Sequence, residues 1–248
     1  MLAAGVLFAS SPSLRKLALN ICKSIASTIA GDKFIDRLGG KAYSKSNYDG
    51  IDVSKHQGVI DWQQVAEDSK IQFVYIRATM GKGYPDKRYD RNMRGAHKAG
   101  IKAGSYHFLT SKYSIDEQYR SFSKALDRHK QNLIPMIDVE EGYLGRWSRS
   151  QLQDSLTKFS ELIIKKYGRK PMIYSSFSFY NKMLAPRFNN HILYIACYNK
   201  FEPYVKGEYD HNLWQYSDKG HIRGIGEYVD LCRFTNGTTI DDIILPDK

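Results

Sequence analysis

The chain has 248 residues, 42% of them hydrophobic and 25% charged. That is the composition of one large globular domain or two small ones, and it excludes disorder, collagen and coiled coil. Lys and Arg number 37 against 26 Asp and Glu, a net charge of +11, which favours a polyanionic partner such as nucleic acid, an anionic membrane or a charged cell-wall polymer.

Residues 1–47 stand apart. They hold seven basic and two acidic residues, leaving 30 and 24 for residues 48–248. MLAAGVLFAS opens the chain as an apolar run with no basic residue before it. A signal peptide needs a positive start and a membrane span about twice this length, so the run reads as the remnant of a longer signal-anchor. Leu14, Leu17, Ala18, Ile21, Cys22, Ile25 and Ile29 then recur at the spacing of one helix face, with Arg15, Lys16 and Lys23 off the stripe. Two readings stay open: a basic helix lying on a membrane surface, or a helix packed on the main domain. Gly39-Gly40 and the polar run 41–47 read as a linker. The expected division is therefore a leader and linker over 1–47 and one domain over 48–248.

From Tyr48 onward, short runs rich in Val, Ile and Tyr recur: Gly50–Val53, Phe73–Ala78, Ala103–Phe108, Leu133–Val139, Met172–Ser175, Leu193–Tyr198, Leu213–Tyr216 and Val229–Leu231. Helical patterns over Trp62–Asp68, Tyr89–Ala99, Ile115–His129 and Ser148–Tyr167 separate the first five, and Gly168 marks the last helix's stop. Beyond the fifth strand the helices shorten or vanish. Repeated βα units predict a parallel sheet, and eight strands in so short a stretch predict a compact barrel with a reduced final third. Cys22, Cys197 and Cys232 are too scattered for a disulfide framework; a Cys197–Cys232 pair stays open, with buried free thiols favoured. Outside the leader no dense Lys/Arg cluster with interleaved aromatics occurs, so nucleic-acid binding is not expected.

A βα-barrel carries its site at the C-terminal strand ends. Those ends hold Asp52, then Arg77 and Thr79, Tyr106 and His107, Asp138 and Glu140, Tyr174, Tyr198, Trp214 and Gln215, and Asp230. Four carboxylates would meet at one mouth, which is costly unless they are paired or functional. Asp138 and Glu140, two apart on a strand, share a side. Like charges that close raise the pKa of the less solvated one, so a protonated acid can sit beside an ionised one. Carboxylates among aromatic faces and without metal-type His spacing point to glycoside hydrolysis. A competing reading joins His107 to Asp52, Asp138 and Glu140 around a divalent ion; the preferred one makes His107 a hydrogen-bonded wall residue that orients a carboxylate.

YDGIDVSKHQG (48–58), FVYIRATMG (73–81), GSYHF (104–108), PMIDVE (135–140), WQYS (214–217) and VDLCRF (229–234) together resemble the glycoside hydrolase family 25 lysozymes, over about residues 48–236. The resemblance implies an α/β fold, a flattened TIM-like (β/α)5(β)3 barrel, here preceded by an N-terminal helical segment. It implies no cofactor and no metal, and hydrolysis of the β-1,4 bond between N-acetylmuramic acid and N-acetylglucosamine in peptidoglycan. By motif, Glu140 would be the general acid/base, Asp138 its tuning partner, and Asp52 and Asp230 the other site aspartates. Tyr106, His107, Tyr174, Tyr198, Trp214 and Gln215 would line the sugar groove. It leaves open whether the reaction inverts or retains through the substrate's own acetamido group. Where the family commonly reads A-T-E-G, this chain has Ala78-Thr79-Met80-Gly81, an acid exchanged for a thioether; with the four other acids in place, an active enzyme is expected. The expected setting is a monomer outside the cytoplasmic membrane, acting on glycan strands and tethered to the membrane through residues 1–30. The alternative is a catalytically weak, tethered peptidoglycan-binding protein.

Overall fold

The structure is a computed structural model that describes residues 47–145, 147–199, 202–207 and 210–246. The expected leader helix, Cys22 and nearly all of the linker lie outside these residues. Among the described residues no helix is long and apolar enough to cross a membrane.

Among the described residues nine strands form one sheet: β1 Gly50–Val53, β2 Phe73–Met80, β3 Tyr84–Pro85, β4 Lys102–Phe108, β5 Met136–Asp138, β6 Met172–Ser176, β7 Leu193–Ala196, β8 Leu213–Gly220 and β9 Val229–Phe234. Parallel pairing of β1 with β2 closes the sheet into a barrel of eight strands, with β3 appended to β2 as a short hairpin at the mouth. All barrel neighbours are parallel except β9, which runs antiparallel to both β8 and β1. Helices α1 Trp62–Ala66, α2 Tyr89–Lys98, α3 Ile115–Leu126 and α4 Arg149–Tyr167 cross over between the early strands. After β6, among the described residues, only the turns Phe177–Phe179 and Tyr180–Leu184 precede β7, no helix joins β7, β8 and β9, and a short helix Ile240–Ile243 follows β9. This is the expected (β/α)5(β)3 arrangement, with the barrel strands parallel up to the last.

Strand alternation separates two cores. Ile51, Val74, Ile76, Ile137, Val139, Ile173, Ile195 and Trp214 point outward into the layer beneath the helices. Phe73, Tyr75, Met136, Met172, Tyr194 and Leu213 fill the barrel interior. Burial of apolar surface on both faces explains why these strands read as nearly continuous hydrophobic runs. Helix α4 shows how sequence sets its limits. Ser148 accepts from the Gln151 N–H and the Gln151 side chain returns the bond, a capping box that stabilises a helix start by about 1 kcal/mol. Leu152, Leu156, Phe159 and Ile163 form its buried stripe, and Gly168 ends it at φ 72°, where a side chain would be strained.

Several expected limits shift. The run Leu133–Val139 is strand only over Met136–Asp138, Leu193–Tyr198 ends at Ala196, and the third helix stops at Leu126, where Arg128 and His129 bond back in a tight turn. Cys197 and Cys232 are free thiols.

Candidate active site

The mouth is built from the inward face of each strand. Because Ile137 and Val139 pack outward, Asp138 points into the barrel at the end of β5, and Glu140 follows two residues later on the same side. Ile51 and Val53 likewise leave Asp52 facing inward on β1. Asp230 lies directly opposite Asp52 in the antiparallel β1–β9 register. It is the second residue of β9 rather than a strand end, and the reversed direction of β9 is what carries it to the mouth. Asp52, Asp138, Glu140 and Asp230 line one cavity of about 160 Å3 with Arg77, Tyr106, Phe108, Met136 and Tyr174.

The acids hold different partners. Asp52 Oδ2 accepts from the Tyr194 hydroxyl at 2.7 Å and from Gln215 Nε2 at 2.8 Å, and Asp230 bonds to the same carboxyl. Burial and the Asp52 charge push Asp230 up to about 9, so Asp230 holds the proton that the pair shares. Burial also raises Asp52, against the pull of its three hydrogen bonds. Asp138 is raised well above the carboxylate range, first by burial and then by the charges of Glu140 and Asp52, while Arg77 opposes them. Its Oδ1 is buried with no partner among the described residues, an acceptor on a cavity-lining residue that a ligand donor can satisfy. Glu140 is raised by burial and by Asp52, is only half-buried, and makes no hydrogen bond to the described residues. The mouth therefore offers a protonated Asp230 near neutral pH, two further carboxyl groups with raised pKa, and a firmly held Asp52, a combination suited to general acid–base work.

Gln215 organises the aromatic side. Fully buried, it donates to Asp52 and accepts at Oε1 from Tyr174 and Tyr198, each at 2.8 Å. Tyr198, just past β7, is 54% exposed and forms a rim. Tyr106 and Tyr174 line the cavity.

Two expected groove residues lie elsewhere. Trp214 neighbours the inward Gln215 on β8 and therefore points outward; it is fully buried, donates from Nε1 to the Cys197 carbonyl at 2.8 Å and lies 4.7 Å from the Arg233 guanidinium. His107 neighbours the inward Tyr106 in the same way. It is sealed between Thr79 Oγ1 at 2.7 Å and Gln118 at 3.2 Å, against Phe122 and Phe159, and burial lowers it to about 4, so it is neutral. It orients no carboxylate and, on the far side of the sheet, does not join Asp52, Asp138 and Glu140 around an ion. Thr79 leaves the mouth because β2 shifts register between Arg77 and Thr79: Arg77 pairs with inward Tyr106, Thr79 with outward His107, and Met80 with Phe108. A bulge of this kind re-aims a side chain.

Sequence reasoning missed Tyr194, which anchors Asp52 from inside the barrel. Alternation along β7 was the available signal, because Leu193 and Ile195 pack outward. It also missed Asp86, whose buried carboxylate ties together Arg77 Nε at 3.0 Å and the backbone N–H groups of Lys55 and Arg88, each at 2.9 Å.

A sequence profile of glycosyl hydrolases family 25 matches residues 51–225. The chain is 35% identical over 193 residues to the uncharacterized protein YegX of Escherichia coli strain K12, covering 76% of this chain and 70% of that protein. It is 32% identical over 198 residues to an autolytic lysozyme of Clostridium acetobutylicum, covering 80% of this chain and 59% of that one. A solved structure of a family 25 glycosyl hydrolase from Bacillus anthracis superposes with a TM-score of 0.70 at 27% identity, over 79% of this chain and 93% of that one.

Proposed function

The chain belongs to glycosyl hydrolases family 25 and is a glycosidase, and from that premise we propose that it cleaves the β-1,4 bond from N-acetylmuramic acid to N-acetylglucosamine in peptidoglycan. The observation that carries this reading is the Asp138–Glu140 pair: two raised carboxyl groups on one face, one with an unpartnered buried oxygen and one at the open edge of the cavity. Glu140 gives its proton to the leaving glycosidic oxygen. The substrate's acetamido oxygen closes on the anomeric carbon as that bond breaks, and Asp138 holds the acetamido N–H. Water then attacks the anomeric carbon from the face the leaving group vacated, breaking the bond to the acetamido oxygen and giving its proton to the Glu140 carboxylate, with net retention. The engagement of Asp52 by Tyr194, Gln215 and Asp230 supports this route, because it leaves that carboxylate as a fixed charge that stabilises the oxocarbenium-like centre rather than as a free nucleophile.

The substrate sets the location outside the cytoplasmic membrane, with residues 1–30 as tether. Incubation with purified sacculi, followed by reducing-end and mass analysis, is expected to give fragments ending in reducing N-acetylmuramic acid. Absence of release from folded protein that still binds sacculi would instead establish a tethered binder, the reading that uncharged Met80 favours.

Gln215→Leu is expected to lower the rate about tenfold to a hundredfold and stability by about 1–3 kcal/mol, because Asp52 and two tyrosine hydroxyls lose their common partner in a buried site. Urea melts beside hydrolysis rates check both.

A further inference from the structure

Among the described residues, the cavity is lined by four carboxyl groups and one cation, Arg77. The guanidinium is held by one edge. Its Nε donates to Asp86 Oδ2 at 3.0 Å, and Asp86 is saturated there, accepting the Lys55 N–H on the same oxygen and the Arg88 N–H on the other. Neither terminal nitrogen of Arg77 bonds to any described residue, although the side chain is only 14% exposed. Met80, the next residue to face the mouth after the bulge, carries no charge that could take them up. The terminal N–H donors of a guanidinium held at Nε by a buried anion, on a side chain that lines the cavity, match a planar pair of acceptor oxygens or a single carbonyl.

Resting on the muramidase reading, we propose that Arg77 recognises the 3-O-lactyl arm of the muramyl residue, through its carboxylate where the arm is free and its amide carbonyl where a peptide is attached. The physical need is plain: an acidic sugar entering a pocket that holds the Asp52 charge meets repulsion, and Arg77 is the lining cation, among the described residues, that offsets it. It is also what separates this sugar from N-acetylglucosamine, which has the same ring and acetamido group but no lactyl arm. A residue that only tuned Asp138 would affect both sugars alike.

The test measures binding in the Glu140→Gln background, where turnover does not interfere, using a peptide-free tetrasaccharide of alternating N-acetylglucosamine and N-acetylmuramic acid, and chitotetraose. Arg77→Gln should weaken the muramyl ligand about tenfold to a hundredfold and chitotetraose less than twofold. Arg77→Lys should recover part of the loss, and only the muramyl ligand should weaken with added salt. Equal losses for the two ligands, or no loss for either, would overturn the assignment while wild-type hydrolysis of sacculi left the muramidase reading standing. Should Arg77→Gln not fold, the salt response and Arg77→Lys decide by the same comparison. Binding of neither oligosaccharide, with no hydrolysis by the wild type, would remove the muramidase reading and this inference together.

Discussion

Glu140→Gln is expected to lower the release of reducing ends from peptidoglycan by about a thousandfold or more, some 4 kcal/mol of transition-state stabilisation. The glutamine keeps the shape of the side chain and cannot donate a proton to the leaving oxygen. Glu140 is the donor best placed for this, half-buried at the open edge of the cavity with its pKa raised by burial and by Asp52. The same raised pKa predicts that wild-type activity declines on the alkaline side as the proton is lost. Folding should survive, since Glu140 makes no hydrogen bond to the described residues, and removing one of four clustered acids relieves repulsion. An unchanged or higher melting temperature beside the lost activity would show that chemistry and not structure was removed. Retention of more than a tenth of the activity, with Asp138→Asn inactive, would transfer the acid role to Asp138.

Asp230→Asn should change the pH dependence of stability strongly. Folding raises Asp230 from the ordinary 3.8 to about 9. Between those limits the folded chain holds a proton that the unfolded chain releases, so unfolding is increasingly favoured as pH rises, by up to about 1.4 kcal/mol per unit. The stability contributed by protonated Asp230 is thus whole below about pH 4 and lost on the way to about pH 9. Asparagine removes that slope and still donates to Asp52. The variant should therefore gain on the wild type from pH 5 to pH 8, with the smallest difference at the acid end, as read from urea midpoints. A difference that does not vary with pH would show that Asp230 does not carry the shared proton. Activity should fall in the same variant, a trade expected where a site is held in an electrostatically costly arrangement.

Residue patterning alone determined a good deal. The eight barrel strands, the four crossover helices with the Ser148 and Gly168 limits, and the thinning of helices after the fifth strand all follow from apolar periodicity and capping chemistry, which act over a few residues. Asp138 and Glu140 belong together for the same local reason, a two-residue spacing along extended backbone at the end of β5. What tertiary structure alone decided was which way the remaining side chains face and whom they meet. His107 and Trp214 sit beside inward-facing neighbours and so turn to the helix layer; a bulge in β2 takes Thr79 from the mouth and sets Met80 there; and an antiparallel last strand lays Asp230 against Asp52, 178 positions away in register. The leader's two readings belong to residues outside those described. The division has one physical cause. Periodicity and caps are read between residues a few positions apart, whereas the closure of a barrel, the direction of its final strand and the sharing of one proton between two aspartates arise from hydrogen bonds and burial between segments that no local pattern relates.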